Sequence, residues 1–308
     1  MAARLALLCP GQGAQQRAMF DLARTDAAAR SLLDALIPQA GLDEPLAAVL
    51  ADDALLFSNR YAQPLMVAAT LANWKALAPD LPEPALVAGY SIGEVAAYAV
   101  AGALAPRDAV ALAAARAGLM DACATPSQAL LAVSGLPLAA MEAPLREAGF
   151  HVAIVTGDDS CIAGGRAALA AQLIGQLTAI GARAAALPVA VASHTPFMAG
   201  AVAPLADALR RLPWRDPAVP VLSGISGERI GHSGKAIAHL SRQVAEPILW
   251  RECMDALPEA GITVALELGP GSGLSRMLQA RHPQIATRSV ADFRSLDGVA
   301  AWLARHVE

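Results

Sequence analysis

The chain has 308 residues and a mass of 31.5 kDa, enough for one large core or two domains. Apolar residues make up 56% of it and aromatic residues only 4%, so the core is built from Ala, Leu and Val, which suits helices packed closely on a sheet. A net charge of −4, a pI near 5.9 and the lack of any basic run exclude the electrostatic footprint of a nucleic-acid binder, and so mild an acidity implies no particular partner.

The N-terminal apolar run stops at Pro10, too short for a signal peptide or a membrane span. Cys9, Cys123, Cys161 and Cys253 are scattered without a C-x-x-C pair and read as free thiols. A soluble, cytoplasmic protein without a membrane partner is expected. "RLALLC" at 4–9 predicts a short buried strand. Helical periodicity follows over 18–37, and 61–78 reads as a helix with Pro64 in or near its first turn. "ALVAG" at 85–89 is a second buried strand, and the stretches starting at Ile92 and Pro106 are helices. Strand, turn and helix repeated in this way predict a parallel sheet covered by helices.

Near Pro126 the pattern changes. Residues 128–135 read as a strand and 137–149 as a helix. "HVAIVT" and "SCIAGG" are two strands around the turn "GDD", then 166–181 is a helix and 182–189 a strand. That order is βαββαβ, the ferredoxin-like split unit, over 127–189. It predicts a small subdomain inserted into a large one made of 1–126 and 190–308. Beyond it, "PVLSG" at 220–224 is a strand, "GERIGHSGK" at 227–235 a polar loop, 236–261 helices, and "TVALELGP" at 263–270 the last core strand.

"ALVAGYSIGE" carries G-x-S-x-G between a buried strand and a helix, the context of a nucleophile elbow. Side chains in place of Gly89 and Gly93 would collide with the adjoining strand and helix, and Ser91 would be pushed out at a helix N-terminus, where free N–H groups favour an oxyanion. The plain alternative is a structural turn. A nucleophilic serine needs a base, and of His151, His194, His232, His239, His282 and His306 the one that follows a strand where the insert rejoins the core is His194. No Asp or Glu falls in a suitable place between Ser91 and His194, which weakens the reading of an ordinary hydrolase triad; a backbone or side-chain carbonyl is the alternative orienting group. Arg116 falls amid the apolar residues of a helix. It is either a locally paired structural arginine or a fork for a substrate carboxylate. "GPGSGL" at 269–274 is a weak match to a phosphate loop and is not read as one.

These residues together resemble the malonyl-CoA:acyl-carrier-protein transacylase (FabD-like) family. "PGQGAQ" at 10–15, "GYSIGE" at 89–94, Arg116, "SHTPFM" at 193–198, "LSRQVAEPILW" at 240–250 and "ELGPGSGLSRM" at 267–277 follow its motifs in order. The resemblance implies an α/β fold: an α/β-hydrolase-like core, mostly parallel, with the ferredoxin-like insert. It implies malonyl transfer from malonyl-CoA to the phosphopantetheine-type thiol of an acyl carrier protein, through a malonyl-serine, with no bound cofactor and no metal. By position it implies Ser91 as nucleophile, His194 as base, and the Gln243 carbonyl as its orienting group. The N–H groups of Gln12 and Ile92 become the oxyanion hole, Arg116 the partner of the malonyl carboxylate, and Gln63 a polar neighbour. Phe197 either narrows the acyl pocket or is a core aromatic. Tyr90 stands where the family usually has His, and the Tyr form resembles the transacylase subunit of bacterial malonate decarboxylases. That subunit loads its own carrier subunit; fatty acid or polyketide synthesis is the alternative setting. A serine hydrolase and a non-catalytic carrier-binding subunit are the rival readings from other classes.

Overall fold

In a computed structural model, which describes residues 3–307, two sheets organise the chain. The strands in chain order are β1 (Leu5–Cys9), β2 (Leu86–Gly89), β3 (Gln128–Ser134), β4 (His151–Val155), β5 (Ser160–Arg166), β6 (Arg183–Ala186), β7 (Val221–Leu222), β8 (Arg229–Ile230), β9 (Ile248–Leu249), β10 (Val264–Glu267) and β11 (Ala286–Ser289). The large sheet runs β11-β10-β1-β2-β7-β8 and is parallel except for the β7/β8 pair. Its inner strands β10, β1, β2 and β7 are buried on both faces, as the interior of a parallel sheet requires, while the edge strands β8 and β11 are partly exposed. Leu5, Leu7 and Cys9 of β1 join one apolar cluster with Leu65, Val95 and Tyr98, while Ala6 and Leu8 face another that holds Trp250, Leu257 and Leu278.

The second sheet runs β6-β3-β5-β4-β9. Its first four strands have the βαββαβ order and antiparallel pairing of a ferredoxin-like unit. Alternation sorts its two faces. Leu131 and Val133 meet Leu145 and Leu173 of the unit's own helices, whereas Leu130 and Ile154 pack against Trp250 and Ile248 of the large part. The fifth strand, β9, comes from the large part and pairs in parallel with β4 at Ile154↔Ile248 and Val155↔Leu249.

Several elements depart from the sequence reading. The stretch 18–37 is not one helix: Asp26 accepts from Ala29 N at 2.7 Å and so starts the helix at Ala27, leaving short turns before it. Pro64 lies six residues into the helix Asn59–Leu77, past its first turn. The run 236–261 splits into helices Ser233–Gln243 and Trp250–Glu259 with β9 between them. The loop 227–235 contributes β8, and β11 rather than β10 is the last strand.

Candidate active site

Strand β2 ends at Gly89 and the helix Gly93–Val100 begins four residues on. The turn closes through Tyr90 N to Cys9 O at 2.9 Å and Gly93 N to Tyr90 O at 2.9 Å. Both glycines are needed for space. A Cβ on Gly89 would lie 2.3 Å from the Glu94 backbone, and one on Gly93 would lie 2.1 Å from the Cys9 carbonyl oxygen. The turn so formed leaves Ser91 in the left-handed backbone region, at φ 56°.

Ser91 Oγ lies 2.8 Å from His194 Nε2. His194 is fully buried and is itself left-handed, at φ 62°. Its N–H donates to Val244 O at 2.7 Å, and its Nδ1 lies 2.6 Å from the Gln243 carbonyl oxygen. A carbonyl can only accept, so Nδ1 carries the proton and the Nε2 lone pair is turned to the serine hydroxyl. Burial, with the nearby Arg116 cation, holds the imidazole down at about 3, which keeps it neutral. The third partner in this chain of hydrogen bonds is therefore main-chain rather than an acid.

Arg116 is 2% exposed and forms no ion pair among the described residues. Its two terminal nitrogens donate to Gln63 Oε1 at 2.6 Å and to Gln243 Oε1 at 3.2 Å. Burial lowers its pKa only to about 10, so it stays cationic at neutral pH. A buried guanidinium whose hydrogen-bond partners are two neutral amides has no carboxylate in direct contact and can still accept one.

Other sequence candidates take their places around this centre. Gln63 is buried and donates to Asn59 Oδ1 at 2.7 Å. The N–H groups of Gln12 and Ile92 donate to no protein acceptor among the described residues, and the loop of Gln12 is tied down by Gly13 N to Gln15 Oε1 at 2.6 Å. Tyr90 sets its ring edge-on against Trp250, with 5.2 Å between centroids. Phe197, half-buried, meets His151 edge-on at 5.8 Å. The remaining histidines lie with other partners: His232 with Asp216, His239 with Ser223, His282 with Asp255 and His306 with the Trp302 carbonyl.

Sequence reasoning passed over two residues here. Glu94, 1% exposed, accepts from Gln243 Nε2 at 2.6 Å and from Gly224 N at 2.9 Å. Asn59 connects Gln63 to Asp121, 2.8 Å away. Glu94 had a visible signal, a single charge in the otherwise apolar helix beside the serine. Asn59 had none. Asn59 and Asp121 also line a cavity of about 800 Å³, together with Arg60, Ser127, Gln128 and Val189.

Residues 6–295 match the acyl transferase domain family. The chain is 33% identical over 96% of its length to the malonyl CoA-acyl carrier protein transacylase of Mycobacterium tuberculosis, 99% of which is covered. Its fold superposes on the malonyl-CoA:acyl carrier protein transacylase of Xanthomonas oryzae with a TM-score of 0.92, at 30% identity and full coverage of both chains. It superposes also on a malonyl-transacylase in complex with its type II polyketide acyl-carrier protein, with a TM-score of 0.90, 25% identity and coverage of 97% and 99%. The chain belongs to the acyltransferase family that includes the malonyl-CoA:acyl-carrier-protein transacylases.

Proposed function

We propose that the protein is a malonyl-CoA:acyl-carrier-protein S-malonyltransferase. The observation that carries this reading is the pairing of two devices in one buried network: a serine activated by a carbonyl-held imidazole, and an arginine left without a carboxylate. Ser91 Oγ attacks the thioester carbonyl as its proton passes to His194 Nε2. The N–H groups of Gln12 and Ile92 receive the oxyanion, a contribution of about 3–4 kcal/mol per donor in comparable sites. His194 returns the proton to the leaving CoA thiol. The phosphopantetheine-type thiol of the carrier then enters and reverses the steps, so the transfer is ping-pong. Arg116 takes the free carboxylate of the malonyl group, with Gln63 beside it. Because the Arg116 cation is one of the groups depressing His194, neutralising it with that carboxylate makes the imidazole a stronger base once the right substrate is seated. The cavity beside Asn59 and Asp121, lined on one side by Ser127, Gln128 and residues 187–189 from the edge of the small unit, is our candidate for the arm of the thioester.

The acyl carrier protein partner has its support in the complex of a similar transacylase with its carrier. Between the two settings we favour fatty acid or polyketide synthesis. A similar malonyl-transacylase serves a type II polyketide acyl-carrier protein, and Tyr90, the residue that pointed to malonate decarboxylase, has a packing role against Trp250. No helix among the described residues is long and apolar enough to cross a membrane. The test is intact-mass measurement after brief exposure to malonyl-CoA. A malonyl-sized adduct is expected on the wild type and none on Ser91→Ala, and a chase with carrier proteins of each pathway identifies the acceptor. CoA release with no adduct at any time would point to hydrolysis instead.

A further inference from the structure

The only charged residue of the helix Gly93–Val100 is buried against the back of the site. Glu94 uses one oxygen for everything: Oε2 accepts from Gln243 Nε2 and from Gly224 N, while Oε1 has no partner. Gln243 is consequently held at three points. Its Nε2–H donates to Glu94, its Oε1 accepts from Arg116, and its main-chain oxygen accepts from His194 Nδ1. A primary amide is nearly symmetric in shape but not in charge, and an NH2 group turned toward a guanidinium is repelled. The acceptor on Glu94 decides which end faces Arg116.

The opposite flank is built alike. Gln63 presents its oxygen to Arg116 because its Nε2–H is taken by Asn59, whose own Nδ2 donates to Asp121 and to the Ala117 carbonyl. On each side the carboxylate stays at least one amide away from the guanidinium. A carboxylate in direct contact would occupy the fork that an acyl carboxylate needs.

We propose that Glu94 is the positioning residue of this site: by holding the Gln243 side chain from behind, it sets both the carbonyl that orients His194 and the amide oxygen that steadies Arg116. The inference deepens the acyl-transfer reading above and rests on it. The place of the oxygen carries the role, not the charge. Oε2 accepts in the ionised and the protonated acid alike, with the proton on the partnerless Oε1. Burial raises Glu94 to about 7, so both forms occur near neutral pH without disturbing Gln243.

Two substitutions separate place from charge. Glu94→Gln keeps an oxygen where Oε2 lies and loses the charge; Glu94→Asp keeps the charge and draws it back by one methylene. Labelling of Ser91 by a neutral fluorophosphonate reads the His194 arm, and protection against it by malonyl-CoA reads the Arg116 arm. Both are measured on the full chain beside the unfolding midpoint. Glu94→Gln is expected within about threefold of wild type in both readouts, and Glu94→Asp at least about tenfold worse in both, the scale of a misplacement of 1 Å or so. The inference is overturned if Glu94→Asp behaves as wild type, if Glu94→Gln falls as far as Glu94→Asp, if only one arm responds, or if the midpoint alone moves. Should Glu94→Asp fail to fold, a tenfold drop in Glu94→Gln overturns it and near-wild-type labelling sustains it. The acyl-transfer reading fails separately, by a wild type that the fluorophosphonate labels and malonyl-CoA never acylates; the labelling ratios of the two variants then still decide the role of Glu94.

Discussion

In the proposed transfer one buried cation, Arg116, has two tasks: to hold the acyl carboxylate and to set the basicity of His194. Replacing Arg116 by Ala removes a charge-assisted hydrogen bond to the acyl carboxylate, worth about 1.5–3 kcal/mol, or roughly 10- to 150-fold. Acylation by malonyl-CoA should fall by that factor while acylation by acetyl-CoA does not, and the check is the ratio of the two kcat/KM values. Arg116→Lys should not restore the ratio, because a point charge cannot span Gln63 and Gln243 as the fork does. For His194, a pKa held at about 3 in the free enzyme means that the base is already neutral across the ordinary range. The acid limb of kcat/KM for acylation should therefore lie well below the usual imidazole position near pH 6.5. A limb at pH 6.5 would show that the imidazole is not buried as described.

The strand–turn–helix around Ser91 is the element on which the proposed chemistry depends, and its tolerance is set by backbone atoms that cannot step aside. Gly93→Ala would drive a Cβ to 2.1 Å from the Cys9 carbonyl oxygen on β1. A loss of at least about 3 kcal/mol in urea denaturation is expected, because β1 and the helix would have to separate. A wild-type midpoint would refute the close packing. Elements of this kind were legible in the sequence. β1 and β2 are unbroken apolar runs, as strands buried on both faces must be. β8 and β9 were not, because two residues have no period; Ile248 and Leu249 sit inside a stretch whose apolar spacing is helical on either side. β11, with the sequence ATRS, is half-buried at the sheet edge and carries no apolar signal. The site divides likewise. Ser91 and His194 announce themselves by local context. The orienting group of His194 is a main-chain carbonyl, which any residue type provides, so only the family resemblance located it. Glu94 and Gln243 are 149 residues apart, and no local pattern joins them.

Across the whole molecule, buried acids shape the pH dependence of stability. Glu94 and Glu267 are each pushed by burial from 4.5 to about 7. Between those values the folded chain binds more protons than the unfolded one, so stability falls as pH rises from about 4.5 to about 7. His194 has the opposite sign: its folded pKa is depressed from 6.5 to about 3, so its contribution is lost as pH falls through that window. Two groups against one put the maximum on the acid side of neutrality. The thermal midpoint should decline from about pH 5 to about pH 7 and then level off, and Glu267→Gln, which removes one of the two acids, should flatten that decline; an unchanged slope would count against burial of Glu267. Both members of the Ser91–His194 pair also sit in left-handed backbone, the only non-glycine residues among those described to do so. A glycine there would relax the chain by about 1 kcal/mol or more. Function is thus written into this fold as a pair of local defects. A library of the chain sorted for heat resistance alone would drift to glycine at position 91 and emerge sturdier and inert.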